Sequence, residues 1–235
     1  MKHTLLIKDW LSSFLSLLFP RCCVVCGRPL AKGEECICTV CNINLPRTNY
    51  HLRKDNPVER LFWGQIPLER ATSFFFYEKG SDFRLILHRL KYGGQKEIGA
   101  IMGRYIAAAL LSSNFFQGID VIIPIPLHKK KQQIRGYNQS EWIARGIAAV
   151  TGIPIDTESI LRKKNTETQT RKSVFERRDN VEGIFELQHP ETLAGKHILI
   201  VDDVLTTGST TLACASCLVD VEDIRISILT LAMVE

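Results

Sequence analysis

Three stretches of the chain are apolar at nearly every position rather than at every second one: Ile119 to Ile125, His197 to Val201 and Ile224 to Met233. A strand with one wet face alternates, whereas a strand without alternation must be covered on both faces, as in a parallel sheet held between helices. The stretches in between carry the complementary period. Asp82 to Lys91 places Phe83, Leu85, Ile86, Leu87 and Leu90 at helical spacing and stops at Gly93-Gly94, and Lys96 to Leu111 reads as an Ala-rich second helix. Glu141 to Val150 and Thr211 to Val219 predict two more helices, while Ala71 to Tyr77 and Gly183 to Leu187 predict strands. The expected fold class is therefore α/β with a mostly parallel sheet. A chain of 235 residues, 45% hydrophobic, has room for one such domain and a small module beside it.

Residues 4 to 18 predict a short amphipathic helix ended by Pro20. Its apolar stretch, Leu11 to Phe19, is interrupted by Ser12, Ser13 and Ser16 and is about half of the ~18 residues needed to span a bilayer. It also reads poorly as a signal peptide, because Asp9 sits in the would-be basic flank and Pro20-Arg21-Cys22 follows instead of a small-residue cleavage site, so a cytoplasmic protein without a membrane span is expected. The net charge of +5 is not spread evenly, because residues 128 to 178 hold 12 Lys and Arg against 5 Asp and Glu. Much of that charge falls on two connections read as long polar loops, Leu127 to Asn138 and Arg162 to Glu182. A local excess of this kind points to one anionic ligand or strand meeting that region.

The strand beginning at His197 runs into Asp202-Asp203 and then into Thr206-Thr207-Gly208-Ser209-Thr210-Thr211. Ligands bind at the carboxyl ends of strands in open parallel sheets. A turn of small residues opening a helix lets backbone N–H groups and hydroxyls converge on a phosphate. Carboxylates repel a phosphate but accept hydrogen bonds from sugar hydroxyls, so a ribose 5-phosphate satisfies both halves of the segment. A P-loop would need a Lys after its glycine loop and a dinucleotide fold a Gly-x-Gly-x-x-Gly, and neither is present. An acidic pair of the receiver-domain kind follows a first strand, and this one precedes the last.

Six of the eight cysteines lie between Cys22 and Cys41. Cys23-x2-Cys26 and Cys38-x2-Cys41, eleven residues apart, form two chelating pairs suited to one tetrahedral zinc ion, with Cys22 and Cys36 beside them as substitutes and His51 in reserve. The surrounding segment has too few apolar residues to bury six free thiols. Cys214 and Cys217, three apart on a predicted helix, read as core residues.

The Asp202-Asp203 and Thr206-Thr207-Gly208 segment resembles the 5-phosphoribosyl 1-pyrophosphate (PRPP) motif of type I phosphoribosyltransferases. Together with Asp120 to Leu127, Arg135-Gly136-Tyr137-Asn138-Gln139, Leu90-Lys91-Tyr92-Gly93, Arg177 to Phe185 and the cysteine-rich start, it is similar to the ComF family. That resemblance implies a zinc ribbon with helical elements over residues 1 to 80 and a phosphoribosyltransferase-like domain over 81 to 235. It also implies a link to DNA uptake in competent bacteria. PRPP with Mg2+ would be held by Asp202, Asp203, Thr206, Thr207, Gly208, Ser209, Thr210, Arg135 and Arg171, with the two aspartates as the catalytic pair and a loop around Gln169, Arg171 and Arg177 closing over it. Two functions stay open: a phosphoribosyltransferase, or a catalytically inactive accessory that senses PRPP or handles single-stranded DNA beside a DNA-translocating ATPase. Only Tyr137 and Phe175 offer themselves for stacking bases in the basic loops. Replacing Asp202 and Asp203 together by Asn is expected to abolish PRPP binding and leave the fold intact.

Overall fold

The computed structural model describes residues 20–163 and 183–234. The N-terminal helix expected over residues 4 to 18 lies outside them, as does most of the second basic loop. Four parallel strands form the main sheet: β1 (Leu68–Tyr77), β2 (Val121–Pro124), β5 (His197–Leu205) and β6 (Arg225–Val234), in the order β1-β6-β5-β2. A separate antiparallel pair, β3 (Ile160–Arg162) and β4 (Phe185–Leu187), brackets the basic loop. The helices are α1 (Thr39–Ile43), α2 (Pro57–Arg60), α3 (Arg84–Tyr92), α4 (Glu97–Leu110), α5 (Lys129–Arg135), α6 (Gln139–Thr151) and α7 (Ser209–Ser216).

The absence of alternation in the strands is explained by two packed layers. Leu199 and Val201 of β5, Leu229 and Leu231 of β6 and Ile122 of β2 face α3, α4 and α6. Ile198 and Ile200, Ile226 and Ile228, and Val121 and Ile123 face α7, the β3–β4 pair and Val58 and Phe62 near α2. Both sheet edges are capped. Thr48 N–H donates to Phe74 O and Phe76 N–H to Pro46 O along β1, while Ile122 and the Pro154–Asp156 segment exchange two bonds along β2. Such covers prevent an open edge from pairing with another chain.

Two readings of the sequence change here. The stretch Leu127 to Asn138, expected as a loop, contains α5. The His128 imidazole accepts from Lys130 N–H at its start, and Gly136 ends it in the left-handed region at φ +78°. The β5 strand continues through the acidic pair to Leu205, because Asp202, Val204 and Leu205 still pair with Thr230, Ala232 and Met233. β1, which precedes the expected division at residue 80, is an edge strand of the main sheet. Among the described residues no helix is long and apolar enough to cross a membrane.

Candidate functional site

The acidic pair sits at the carboxyl end of β5, where three helices meet it. Asp202 Oδ1 accepts from Ser140 Oγ at 2.9 Å and from the backbone N–H of Asp203 at 2.8 Å. Ser140 is placed there by the start of α6, whose N-cap Asn138 accepts from Ser140 N–H and donates to Ile125 O. Burial, and then the neighbouring charge of Asp203, push the Asp202 carboxyl up to about 7. Asp203 is bound differently: Lys91 Nζ, from the last turn of α3, lies 3.1 Å from Asp203 Oδ1, and both side chains are largely buried. Asp203 is therefore a member of a shielded ion pair as well as a candidate ligand residue.

Behind the pair, the chain turns at Gly208, whose φ of +75° suits glycine, and enters α7. A Cβ at Gly208 would lie 3.4 Å from the Phe62 ring. Thr206, Thr207 and Thr210 are exposed, the Thr207 and Ser209 hydroxyls are 2.8 Å apart, and no side chain caps the first N–H groups of α7. Hydroxyl and amide donors thus share the end of the sheet with two carboxylates, the combination that a phosphorylated sugar requires.

Cations complete the site. Arg162 at the end of β3 is close enough for the Asp202 charge to act on it, partly offsetting the downward pull of burial. Lys131 of α5 is held below the ordinary lysine range by burial, then by the positive charges of Arg162, Arg135 and Lys91. Arg135 donates to Gln139 Oε1 at 2.8 Å and lies over the Tyr92 ring at 5.5 Å. Lys131 is thus half-buried within reach of these charges, whereas Lys129 and Lys130 are exposed. Arg171, with Gln169 and Arg177, lies outside the described residues. Tyr137 is buried and donates to Leu90 O at 2.6 Å, so it offers no face for stacking, whereas Tyr92 is 69% exposed.

Lys91 and Ser140 were given no role from the sequence. Lys91 had a signal: it stands four residues after Leu87, on the buried side of α3. Ser140 had only its place beside the N-cap of α6.

At the N-terminal end, the sulfur atoms of Cys23, Cys26, Cys38 and Cys41 all lie within 4.8 Å of one another. Tetrahedral zinc with Zn–S bonds of about 2.3 Å places its sulfurs about 3.8 Å apart, and Cys26 Sγ and Cys38 Sγ are separated by 3.7 Å. Backbone N–H groups of Cys38 and Cys41 point at the sulfurs of Cys23 and Cys38. Burial raises the Cys23 thiol, but donors from Cys26, Cys38 and Val25 outweigh it and bring the group down to about 7. The donor set fits structural zinc. Cys36 points away, 4.0 Å from Met102 Sδ, and burial pushes its thiol up to about 12. Cys22 is exposed, bonded to Pro20 O, and His51 is not part of the cluster. Cys214 is fully buried in the core, as expected.

No family model matches the chain. It is 32% identical to DNA utilization protein YhgH of Escherichia coli O157:H7 over 83% of this chain and 88% of that one. Over 90% of this chain and 83% of the relative it is 26% identical to competence protein ComFC of Bacillus subtilis. Adenine phosphoribosyltransferase from Leishmania tarentolae is 12% identical over 80% of this chain and 94% of that chain, with a TM-score of 0.38, a likeness too slight to bear on fold or function. Identity at this level, carried across most of both proteins, places the chain in the ComF family, alongside DNA utilization protein YhgH and competence protein ComFC.

Proposed function

We propose that the chain is a PRPP-binding, phosphoribosyltransferase-like protein that serves DNA uptake or DNA utilization, with a structural zinc in its N-terminal module and its α/β part beginning at β1. The observation that carries this is the single end of β5, where carboxylates for sugar hydroxyls adjoin an uncapped helix start for a phosphate. Asp202 and Asp203 would accept from the ribose hydroxyls, and Thr206 to Thr210 would donate to the 5-phosphate. Lys131, Arg135 and Arg162, with Arg171 from the second basic loop, would face the pyrophosphate. Magnesium, entering with PRPP, would neutralise the pyrophosphate. If transfer occurs, an acceptor attacks the anomeric carbon as pyrophosphate leaves, and the protein contributes orientation and electrostatics rather than a covalent nucleophile.

Calorimetry with PRPP and Mg2+ tests this. Binding with pyrophosphate release in the presence of a nucleobase or amine identifies a transferase, and binding without turnover identifies a sensor. Absence of binding removes the reading.

A second reading, single-stranded DNA handling, is favoured by one observation. The Trp142 ring lies 4.7 Å from Lys96 Nζ and 4.9 Å from Arg145 Cζ, and exposed Tyr92 lies beneath Arg135. Paired cations and aromatic faces suit a nucleic-acid strand. Were DNA the main ligand, log affinity would fall steeply with log salt, with a slope near ~0.7 per neutralised phosphate, and PRPP would not displace an oligonucleotide. A shallow slope with displacement by PRPP is expected.

A further inference from the structure

We propose that Lys91 is the resident cation of the acidic pair, a positioning residue that fixes Asp203 and stands where a divalent metal would otherwise be required. The proposal rests on the reading of this site as one for a sugar phosphate. Two adjacent carboxylates at the end of a buried strand repel each other and would repel a phosphorylated ligand. Such pairs are commonly balanced by a metal. Here the chain itself supplies the counter-charge. Lys91 Nζ is 3.1 Å from Asp203 Oδ1, and the guanidinium of Arg162 acts on Asp202 from the opposite layer.

The donor set agrees. Asp202 Oδ1 already accepts two hydrogen bonds, from Ser140 Oγ and Asp203 N–H, and Asp203 Oδ1 is engaged by the ammonium. Magnesium requires near-octahedral oxygen ligands at about 2.0–2.1 Å. An ion bridging these two carboxylates through Oδ1 would have to displace both arrangements, and one bound through the Oδ2 atoms would still approach the lysine ammonium held on Asp203. The residues present do not fit a magnesium ion resident on the pair.

Lys91 is also held from both sides. The residue before it, Leu90, accepts through its carbonyl from the buried Tyr137 hydroxyl at 2.6 Å, and the residue after it, Tyr92, lies beneath Arg135. The last turn of α3 is thus fastened to the segment leading into α6, which supplies Ser140 to the other carboxylate. One hydrogen-bonded unit sets the geometry of both aspartates.

The test compares the zinc-loaded full chain with Lys91→Met and Lys91→Arg. Ribose 5-phosphate binding is measured by calorimetry with and without Mg2+, and Mn2+ uptake without sugar by electron paramagnetic resonance. The parent should bind ribose 5-phosphate with an affinity that Mg2+ changes by less than about twofold, and Lys91→Met should lose about tenfold without Mg2+ and recover it with Mg2+. Lys91→Met should also take up Mn2+, and Lys91→Met/Asp203→Asn should not, while Lys91→Arg should behave as the parent. A parent that needs Mg2+ for ribose 5-phosphate, or takes up Mn2+ as Lys91→Met does, overturns the proposal, as does a Lys91→Arg variant that behaves like Lys91→Met. The measurements on the parent decide even if Lys91→Met does not fold. A parent blind to ribose 5-phosphate, beside a Lys91→Met variant that alone gains Mn2+, removes the sugar-phosphate reading and supports the assignment of Lys91.

Discussion

Neutralising Asp202 and neutralising Asp203 should move stability in opposite directions. The Asp202 carboxyl is raised to about 7, so the folded chain keeps a proton that the unfolded chain releases at lower pH. That contribution to stability declines as pH rises from the ordinary carboxylate range to about 7 and stays lost above it. Asp202→Asn removes the penalty while its side-chain oxygen can still accept from Ser140. Thermal melts at about pH 8 should show it more stable than the parent, and the gain should vanish in acid. Asp203→Asn instead leaves the Lys91 ammonium largely buried without its carboxylate, a loss of about 2 kcal/mol in urea unfolding. Both variants should lose sugar-phosphate binding. Replacing the two together, which the sequence treats as harmless to the fold, carries the cost of the Asp203 change. The acidic pair, the hydroxyl turn and the cysteine pairs were legible because each is written in neighbouring residues. Lys91 and Ser140 reach the same place from α3 and α6; Lys91 lies in a segment the family resemblance includes, but its pairing with Asp203, like that of Ser140 with Asp202, is revealed by the packing of those helices.

Among the elements, α4 and α6 approach so closely that two glycines decide their spacing. A Cβ on Gly103 would fall 2.2 Å from Ile143 O, and one on Gly146 would fall 2.1 Å from Ala100 O. These obstacles are backbone, so the helices themselves must separate. Gly103→Ala should cost about 2–3 kcal/mol in denaturant unfolding and weaken ligand binding in the folded fraction, because α6 carries Ser140. The helical periods of α3, α4 and α6 were readable since each has a wide apolar stripe. α5 was not. Lys129 to Gln133 has no apolar residue, and Ile134 is 85% exposed, so no stripe marks it even though its cap and terminal glycine do. The extension of β5 through Asp202 and Asp203 was likewise hidden, because pairing with β6 sustains a strand where side-chain polarity suggests its end.

At the scale of the whole molecule, the cysteine module shares the core of the sheet. Val24, Val25, Ile37 and Leu45 belong to the same packed cluster as Leu90, Met102 and Ile106, and Glu35 receives Arg104 Nη2 at 2.6 Å. Too few apolar residues for a core of its own was a correct reading of that segment, and the structure supplies the missing partner. Cys23→Ser should therefore lose the metal and lower the melting temperature of the entire chain by several degrees in one transition, read by calorimetry with metal analysis, whereas Cys214→Ser should keep its zinc. The order of the strands carries a different consequence, for the making of the protein. Among the described residues β6 is the one strand of the main sheet that pairs with β1, and the chain from Tyr77 to Arg225 must be synthesised between them. At about 5–20 residues per second the ribosome needs on the order of ten seconds to cover that distance. Throughout that interval Phe74 and Phe75 stand on a strand that has the Pro46–Thr48 segment on one side and no β6 on the other, so the nascent chain is most exposed to aggregation and to chaperone capture before β6 emerges.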